Sequence, residues 1–184
     1  MNSLDNEKSS IEYRILSREE IQKLVQIDRT ETIENIYYIR EGKLTPEKEH
    51  WDVKEWDVQE KQRRIAITQK CYDDGDMLFG AFDGPTLVGM SIFEQNPLSS
   101  AVDRFNLGGL WVSQKYRARG IGRTLVQLVI SKARESGAKT MYVSATPSEN
   151  TVRFYMSMGF RLAAPIDPDM FEREPEDMHL ELLL

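Results

Sequence analysis

The segment from Leu107 to Leu125 places an apolar strand directly before a glycine-rich turn and an amphipathic helix. Leu107 to Val112 is apolar and predicts a buried strand, in which Gly108 and Gly109 indicate a bulge or a close backbone approach. Apolar residues then recur with the spacing of one buried helix face, at Leu125, Leu128, Val129 and Ala133. Together with the strands and helices predicted elsewhere, this order indicates an α/β or α+β sheet domain.

The turn between this strand and helix is cationic and suited to an anion. No acidic residue occurs from Val112 to Arg134, although the chain has a formal net charge of -6. The first-turn N–H groups of a helix are free, its dipole is positive there, and Gly120 and Gly122 have no side chain to keep an anion from the backbone. The sequence therefore predicts a phosphate-binding turn flanked by four cations, Lys115, Arg117, Arg119 and Arg123.

Two common glycine-rich phosphate loops do not fit this turn. A Walker loop needs glycine where Arg117 stands and Gly-Lys-Ser/Thr at its end, whereas Gly122 is followed by Arg-Thr. A dinucleotide fingerprint needs a third glycine where Leu125 stands and an acidic residue after the next strand. That strand, predicted at Thr140 to Ala145, ends without an acid. Both classes of site are excluded.

Two motifs resemble signatures of the GNAT superfamily of N-acetyltransferases. The segment from Arg117 to Gly122, Arg-Ala-Arg-Gly-Ile-Gly, resembles the family's pyrophosphate-binding Arg/Gln-x-x-Gly-x-Gly/Ala signature. The segment from Asn150 to Phe160 is similar to a second signature, Asn-x-x-x-Phe-Tyr-x-x-x-Gly-Phe. The motifs occur in the family's order and separation. The resemblance covers Met77 to Phe160 well and the rest of the chain in outline.

The resemblance implies a fold, a cosubstrate and a set of contact residues. The fold is an α/β (α+β) domain with a mixed, mostly antiparallel central sheet flanked by helices. The cosubstrate is acetyl-CoA, with its pyrophosphate on the amides of the turn and its pantetheine arm paired with the preceding strand. The residues at matching cofactor-binding positions are Leu110, Trp111, Val112, Arg117, Ala118, Arg119, Gly120, Ile121, Gly122, Arg123, Asn150 and Tyr155.

Acetyl transfer to an amine needs an acid for the leaving thiolate and a base for the amine. The resemblance places Tyr155 at the position of the family's general acid. A tyrosine with a pKa of about 10 is protonated at neutral pH and can donate to a thiolate. Some family members have a basic glutamate on the strand before the turn, but Arg104 to Val112 contains none. Glu31 and Glu34 are therefore the candidate bases, and deprotonation through water stays open.

Structural roles are the alternatives for several of these side chains. Tyr155 could pack its ring in the core, and Asn150 could cap its helix. Carboxylates and aromatic rings that would suit a cationic amine lie in one early part of the chain, which could equally be an amphipathic helix beside a loop. These residues are Asp28, Glu31, Glu34, Tyr37, Tyr38, Trp51 and Trp56.

The predicted function is acetyl transfer to a primary amine of a small molecule, by direct attack in a ternary complex. Two alternatives stay open. One is a protein acetyltransferase that acts on an N-terminus or a lysine, and the other is a domain that senses acetyl-CoA without turnover. Turnover is favoured because tyrosine stands at the acid position, Tyr155.

Periodicity and caps predict the remaining elements. Early in the chain they predict a strand at Ile11–Leu16, a helix begun by Ser17 and Glu20, a helix over Arg29–Ile39 and a loop over Arg40–Asp57. Further on they predict a helix capped by Asp57, a hairpin within Met77–Phe93, a cap at Ser148, and strands at Phe160–Leu162 and Met178–Leu184 joined by a proline-rich connection.

Length and composition suit one domain over residues 11–184, after a disordered tail at residues 1–10. The single cysteine, Cys71, excludes a disulfide framework, and one cysteine with two histidines cannot form an ordinary zinc site. The absence of a signal core or a long apolar run predicts a cytoplasmic protein without membrane contact. Overall acidity argues against nucleic acid as a partner. A homodimer stays open.

Overall fold

A seven-stranded sheet forms the centre of the computed structural model, which describes residues 10–184. The predicted tail therefore lies, apart from Ser10, outside the described residues. The strands are β1 (Glu12–Ile15), β2 (Glu31–Arg40), β3 (Lys43–Val53), β4 (Met77–Asp83), β5 (Thr86–Phe93), β6 (Arg104–Val112), β7 (Thr140–Ala145), β8 (Arg161–Leu162) and β9 (Met178–Leu183). The α-helices are α1 (Val58–Asp73), α2 (Ile121–Glu135), α3 (Glu149–Met156) and α4 (Pro168–Arg173).

The central sheet is mixed and mostly antiparallel, as predicted. Its strand order is β1-β4-β5-β6-β7-β9-β8, and β6 with β7 is the parallel pair among the described strands. Helix α2 packs on β4, β5 and β6 through side chains that include the fully buried Leu125 and Val129. A 3-10 helix and α1 cover the opposite face. Because helices cover both faces of the sheet, side chains that point to either face are buried.

Strands β6 and β7 are paired only where they begin. Arg104 to Asn106 lie opposite Thr140 to Tyr142, and the ladder ends there although both strands continue. On its other side β6 pairs with β5 as far as Val112. The far half of β6 therefore has an edge that faces β7 without being bonded to it, and a wedge-shaped space opens between the two strands.

The predicted bulge in β6 is present at Gly108. Leu107 lies opposite Phe93 and Gly109 opposite Ile92, so Gly108 is the extra residue of the pair. A Cβ atom on Gly108 would lie 2.7 Å from Oε1 of Glu94, closer than side chains tolerate. The glycine is required here because a side chain of the neighbouring strand occupies its outer face.

The prediction of a helix at Arg29–Ile39 and a loop at Arg40–Asp57 is wrong, because this part of the chain forms the hairpin β2–β3. Glu41 and Gly42 both have positive φ and connect the paired Arg40 and Lys43, as in a two-residue type I′ turn. The register of the hairpin shifts at Glu34, where one residue of β2 lies opposite two residues of β3. This irregularity buries residues with the helix-like spacing that misled the prediction, Ile33 and Ile36.

Two shorter elements also differ from prediction. The first helix is a 3-10 helix, Glu19–Gln26, in which the Glu20 carboxylate accepts from the backbone N–H of Ser17 at 3.2 Å. The proline-rich connection contains α4, whose first turn is capped by Asp167 accepting from the Met170 N–H at 3.0 Å. The other predicted strands and helices are present, with ends that differ by a few residues.

Replacing Asp57 by alanine should destabilise the domain, because Asp57 Oδ1 accepts from the Glu60 N–H at 2.8 Å at the start of α1. We expect a loss of about 1 kcal/mol in the free energy of unfolding, measured by urea denaturation. The control is Asp57→Asn, which keeps an acceptor and should lose much less. Equal stability of Asp57→Ala and the wild type would contradict a stabilising cap.

Candidate active site

The turn before α2 presents backbone N–H groups to a cavity of about 620 Å³. Gly120 is the N-cap residue with φ of 85°, and Ala118 has φ of 58°, a left-handed conformation that is unusual outside glycine. Alternating left- and right-handed residues turn successive N–H groups towards one point, which forms an anion-binding concavity. The first-turn amides of α2 at Ile121, Gly122 and Arg123 have no acceptor within the helix.

Most of the predicted cofactor residues line this cavity. They are Leu110, Val112, Arg117, Ala118, Gly120, Ile121, Gly122, Arg123, Asn150 and Tyr155. The two others point elsewhere: the Trp111 ring meets Trp56 edge-on with centroids 6.2 Å apart, and the Arg119 guanidinium lies 5.3 Å from the Tyr116 ring. The prediction for Trp111 concerned its main chain, which runs along β6 beside the cavity. Contact of these residues with a cofactor stays a prediction.

The Arg117 side chain holds the turn against two strands. Its guanidinium donates to the carbonyl oxygen of Val112 at 3.1 Å, to Glu31 at 3.0 Å and to the carbonyl oxygen of Arg29 at 3.2 Å. All three nitrogens are therefore used within the protein. The cation at this position braces the turn, while the exposed Arg123, bonded to Ser157 Oγ at 3.0 Å, borders the cavity mouth.

The two candidate bases on β2 lie in different surroundings. Glu31 accepts from Arg117 at 3.0 Å with one oxygen and from the Asn150 amide at 2.9 Å with the other, and it borders the cavity. Glu34 is 57% exposed, contacts His50 and lines neither cavity. The structure thus brings Glu31, and not Glu34, to the predicted site.

Tyr155 lies inside the domain on α3, and only 4% of its surface is exposed. Its ring is packed between Phe154 and Phe160, with centroids 5.1 and 5.2 Å away. Burial raises the pKa of its hydroxyl, so the group stays protonated at neutral pH. The predicted cap of α3 is confirmed, since Ser148 Oγ accepts from the Thr151 N–H at 3.3 Å. Asn150 is therefore not the cap and its amide reaches Glu31 instead.

A second cavity, of about 750 Å³, opens on the other side of Tyr155. It occupies the space between β6 and β7, and its walls include Trp56 and Trp111. Of the two tryptophans considered from sequence, Trp56 is buried here, whereas Trp51 is 57% exposed on β3. The early segment therefore contributes one of its tryptophans to this cavity.

Several polar residues of the second cavity were missed by sequence reasoning. Glu94 directly follows the mostly apolar β5 and Asn106 interrupts the mostly apolar β6, and these positions were the available signals. Glu174 and Asp177 come from the connection before β9. Burial and the neighbouring Glu174 raise the pKa of Asp177 to about 6. The lining of this cavity is therefore charged with both signs, since Arg29, Arg64, Arg117 and Arg173 line it beside the carboxylates.

Two other chemistries find little support among the described residues. Burial and the nearby Asp76 raise the pKa of the Cys71 thiol to about 11, so this thiol is protonated and poorly suited to carry an acetyl group. Within residues 10–184, His, Cys, Asp and Glu side chains form no group of three that could hold a metal ion.

Among the helices of residues 10–184, none is long and apolar enough to cross a membrane.

Comparison with known proteins decides the family. Residues 32–160 match the model of the Acetyltransferase (GNAT) family. The chain belongs to the GNAT family. The predicted resemblance to this family of acetyltransferases is thereby confirmed.

Curated and structural relatives of this GNAT chain are acetyltransferases. It is 37% identical over 106 residues to a mycothiol acetyltransferase of Corynebacterium glutamicum, a match that covers 54% of this chain and 34% of that protein. The chain thus spans about a third of the length of the curated relatives it matches. The match concerns this one region of a longer protein.

Solved structures show the same fold at low sequence identity. Nourseothricin acetyltransferase has a TM-score of 0.69 at 19% identity, over 94% of this chain and 98% of that one. A Bacillus anthracis protein in complex with acetyl coenzyme A has a TM-score of 0.71 at 14% identity, over 95% and 99% of the two chains. At these identities the likeness establishes the fold.

Replacing Gly122 by aspartate should weaken coenzyme A binding. A Cβ on Gly122 would lie in ordinary contact, 3.5 Å from the Phe154 ring, so the protein itself does not require glycine here. The aspartate would place bulk and negative charge beside the free amides of α2. We expect at least about a tenfold rise in Kd by titration calorimetry, since repulsion and lost access each cost on the order of 1 kcal/mol.

The matched control is Gln127→Asp, which adds the same charge at an exposed position further along α2. Its Kd should stay within about twofold of the wild type. Unchanged affinity in Gly122→Asp would show that the turn does not hold the cofactor.

Proposed function

We propose that the domain transfers the acetyl group of acetyl-CoA to a primary amine of a small molecule, by direct attack in a ternary complex. The observation that carries this proposal is the meeting of two cavities at Tyr155 and Leu110, which line both. The cavity at the turn takes the cofactor and the second takes the acceptor. The thioester then lies where the two meet.

The cofactor follows the backbone of the turn and of β6. Its pyrophosphate takes the free amides from Gly120 to Arg123, and its pantetheine arm pairs with the unbonded edge of β6 from Leu110 to Val112. A backbone N–H on this edge also stabilises the oxyanion that forms when the amine adds to the thioester. These contacts use the main chain, so they tolerate many side chains.

Tyr155 donates a proton to the thiolate as the carbon–sulfur bond breaks. Its raised pKa makes it a weaker acid in isolation, but the same burial raises the pKa of a thiol beside it. The buried position therefore disfavours both the phenolate of Tyr155 and the thiolate of coenzyme A. Proton transfer from the phenol to the sulfur keeps the buried thiolate from persisting. The phenol also excludes water from the sulfur.

The second cavity has the size expected for a small acceptor and carries carboxylates that can bind its amine. About 750 Å³ is within the range of roughly 300–1,000 Å³ typical of small-molecule sites. Its carboxylates at Glu94, Glu174 and Asp177 can pair with an ammonium group, while the arginines of the same lining hold other parts of a polar acceptor. Two relatives are named for acetylation of small molecules, mycothiol and nourseothricin. Glu31 stays a candidate base where the two cavities meet, whereas Glu34 lines neither cavity.

The activity itself is tested with acetyl-CoA and a panel of spermidine, L-lysine, streptothricin, 2-aminoethanol and a lysine-containing peptide. We expect thiol release with at least one small amine, together with its acetylated product by mass spectrometry. Release with the peptide alone would favour a protein acetyltransferase. Tight binding of acetyl-CoA with no release would favour a sensor domain.

Replacing Tyr155 by phenylalanine should lower kcat by about 100-fold or more, because the thiolate loses its proton donor while the ring packing is kept. The KM for acetyl-CoA should stay within about twofold. The control is Tyr13→Phe on β1, whose side chain lines neither cavity. Turnover of Tyr155→Phe at the wild-type rate would remove the hydroxyl from the mechanism.

A further inference from the structure

A buried amide oxygen lacks a partner at the second cavity. Asn106 on β6 is 1% exposed and lines this cavity, and its Oδ1 has no hydrogen-bond partner among the described residues. Leaving a buried acceptor unpaired costs on the order of 1–3 kcal/mol, so such an atom calls for an explanation. A bound ligand that donates a hydrogen bond would supply one.

A carboxylate lies beside this amide. The Glu94 side chain occupies the space over Gly108, where a Cβ would be 2.7 Å from Oε1, and it hydrogen-bonds the Asn106 side chain. It lines the same cavity and is only one-fifth exposed. Glycine at position 108 thus makes room for an acid that reaches over β6 from the adjacent strand. Two acceptor groups, one of them anionic, meet at this place.

We propose that Glu94 and Asn106 bind the primary ammonium group of the acceptor and that Glu94 takes its proton. This inference rests on the proposed function. An ammonium has three N–H donors and no acceptor, which complements a carboxylate and an unpaired amide oxygen. β6 itself contains no acidic residue, and Glu94 supplies one across the bulge.

The position of Glu94 fits the distance that the reaction requires. Gly108 precedes Leu110 by two residues, which is about 6–7 Å along a strand. An amine nitrogen hydrogen-bonded to the carboxylate at about 2.8 Å and poised about 3 Å from a carbonyl carbon spans about 6 Å. The thioester beside Leu110 is therefore within reach of an amine held by Glu94.

The protons balance across this sequence. The ammonium gives one proton to Glu94, and the free amine forms a carbon–nitrogen bond with the thioester carbon. The carbon–sulfur bond then breaks, Tyr155 gives its proton to sulfur, and the resulting phenolate takes the second proton from nitrogen. Glu94 releases the first proton to water. The products are the amide, coenzyme A and one proton.

The other carboxylates near the cavity are less suited to this task. Both oxygens of Glu31 are engaged, by Arg117 and Asn150. Asp177 lies close enough to Tyr155 to raise its pKa, so it is the rival base. Glu94 is itself loosely paired, since Arg173 Nη2 at the end of α4 lies 3.7 Å from its Oε1, and the amine would share the carboxylate with this arginine. The other titratable groups that face Glu94 are Cys71 on α1, Asp76 before β4 and Glu174 after α4. Burial raises the pKa of Glu94 towards that of an amine.

The test compares Glu94→Gln with the wild type, using acetyl-CoA and the member of the amine panel that is acetylated fastest. We expect kcat/KM for the amine to fall at least about 100-fold at pH 7. In the wild type, kcat/KM for the amine should rise with pH through the pKa of Glu94 and then reach a plateau below the pKa of the amine. The variant should lack this plateau and keep rising up to the pKa of the amine, because only free amine then reacts.

Three further variants keep the test decisive. Gly108→Ala keeps the glutamate at position 94, but the added methyl group pushes its carboxylate away from the cavity. This variant should therefore also lose the plateau of the pH profile. Asn106→Leu should raise the KM for the amine about tenfold, with a smaller effect on kcat. Asp177→Asn should keep the wild-type shape of the pH profile. Each variant should bind coenzyme A with wild-type affinity by calorimetry, which shows that it is folded.

The outcomes separate this inference from the function on which it rests. Absence of thiol release by the wild type with every member of the panel would overturn the proposed function. A wild type that turns over, together with Glu94→Gln that retains kcat/KM and the plateau, would overturn the role of Glu94 alone. Loss of the plateau in Asp177→Asn, and not in Glu94→Gln, would assign the base to Asp177.

Discussion

The unpaired amides at the start of α2 are the constraint on which the rest of the site depends. A helix cannot satisfy its own first N–H groups, and here no side chain caps them. Gly120 and Ala118 turn the preceding backbone towards the same point with positive φ. The sequence from Val112 to Arg134 contains no acidic residue, although the chain as a whole is acidic. The proposed anion site is therefore made of main chain, and Arg117 braces the turn that carries it.

The position of the anion site then determines the use of the neighbouring strands. Because β6 leads directly into the turn, a ligand held by its phosphates on α2 has its other end beside β6. The loss of pairing between β6 and β7 after Asn106 opens the edge that such a ligand needs. Tyr155 on α3 and Glu94 over Gly108 both line this opening. The proposed acid and the proposed base thus come together although they are distant in the sequence.

Local patterns in the sequence were sufficient to predict the structural elements around the proposed cofactor site. The turn, the bulge at Gly108, the cap at Ser148 and most strands each follow from a few consecutive residues, so their predictions agree with the structure. The hairpin β2–β3 was mistaken for a helix and a loop because the irregular pairing near Glu34 removes strict alternation from β2. The prediction failed where register with a partner strand, and not local propensity, decides the structure.

The acceptor side could not be predicted for a related reason. The approach of Glu94 to Gly108 and Asn106 depends on the register of β5 against β6, which the sequence of either strand does not reveal. Asp177 and Glu174 join the same cavity from residues that close the fold near its end. Motif matching pointed to the proposed cofactor site because its residues are consecutive in the sequence. The proposed acceptor pocket consists of side chains from distant parts of the chain, and their contacts depend on the whole fold.

The most direct test of the central claim is a calorimetric comparison of coenzyme A with pantetheine, which has the same arm without the diphosphate. If the amides of α2 hold the diphosphate, coenzyme A should bind at least about 100-fold more tightly, with an affinity that falls as salt is added. Equal affinities for the two compounds, or no heat of binding with coenzyme A in folded protein, would contradict the account.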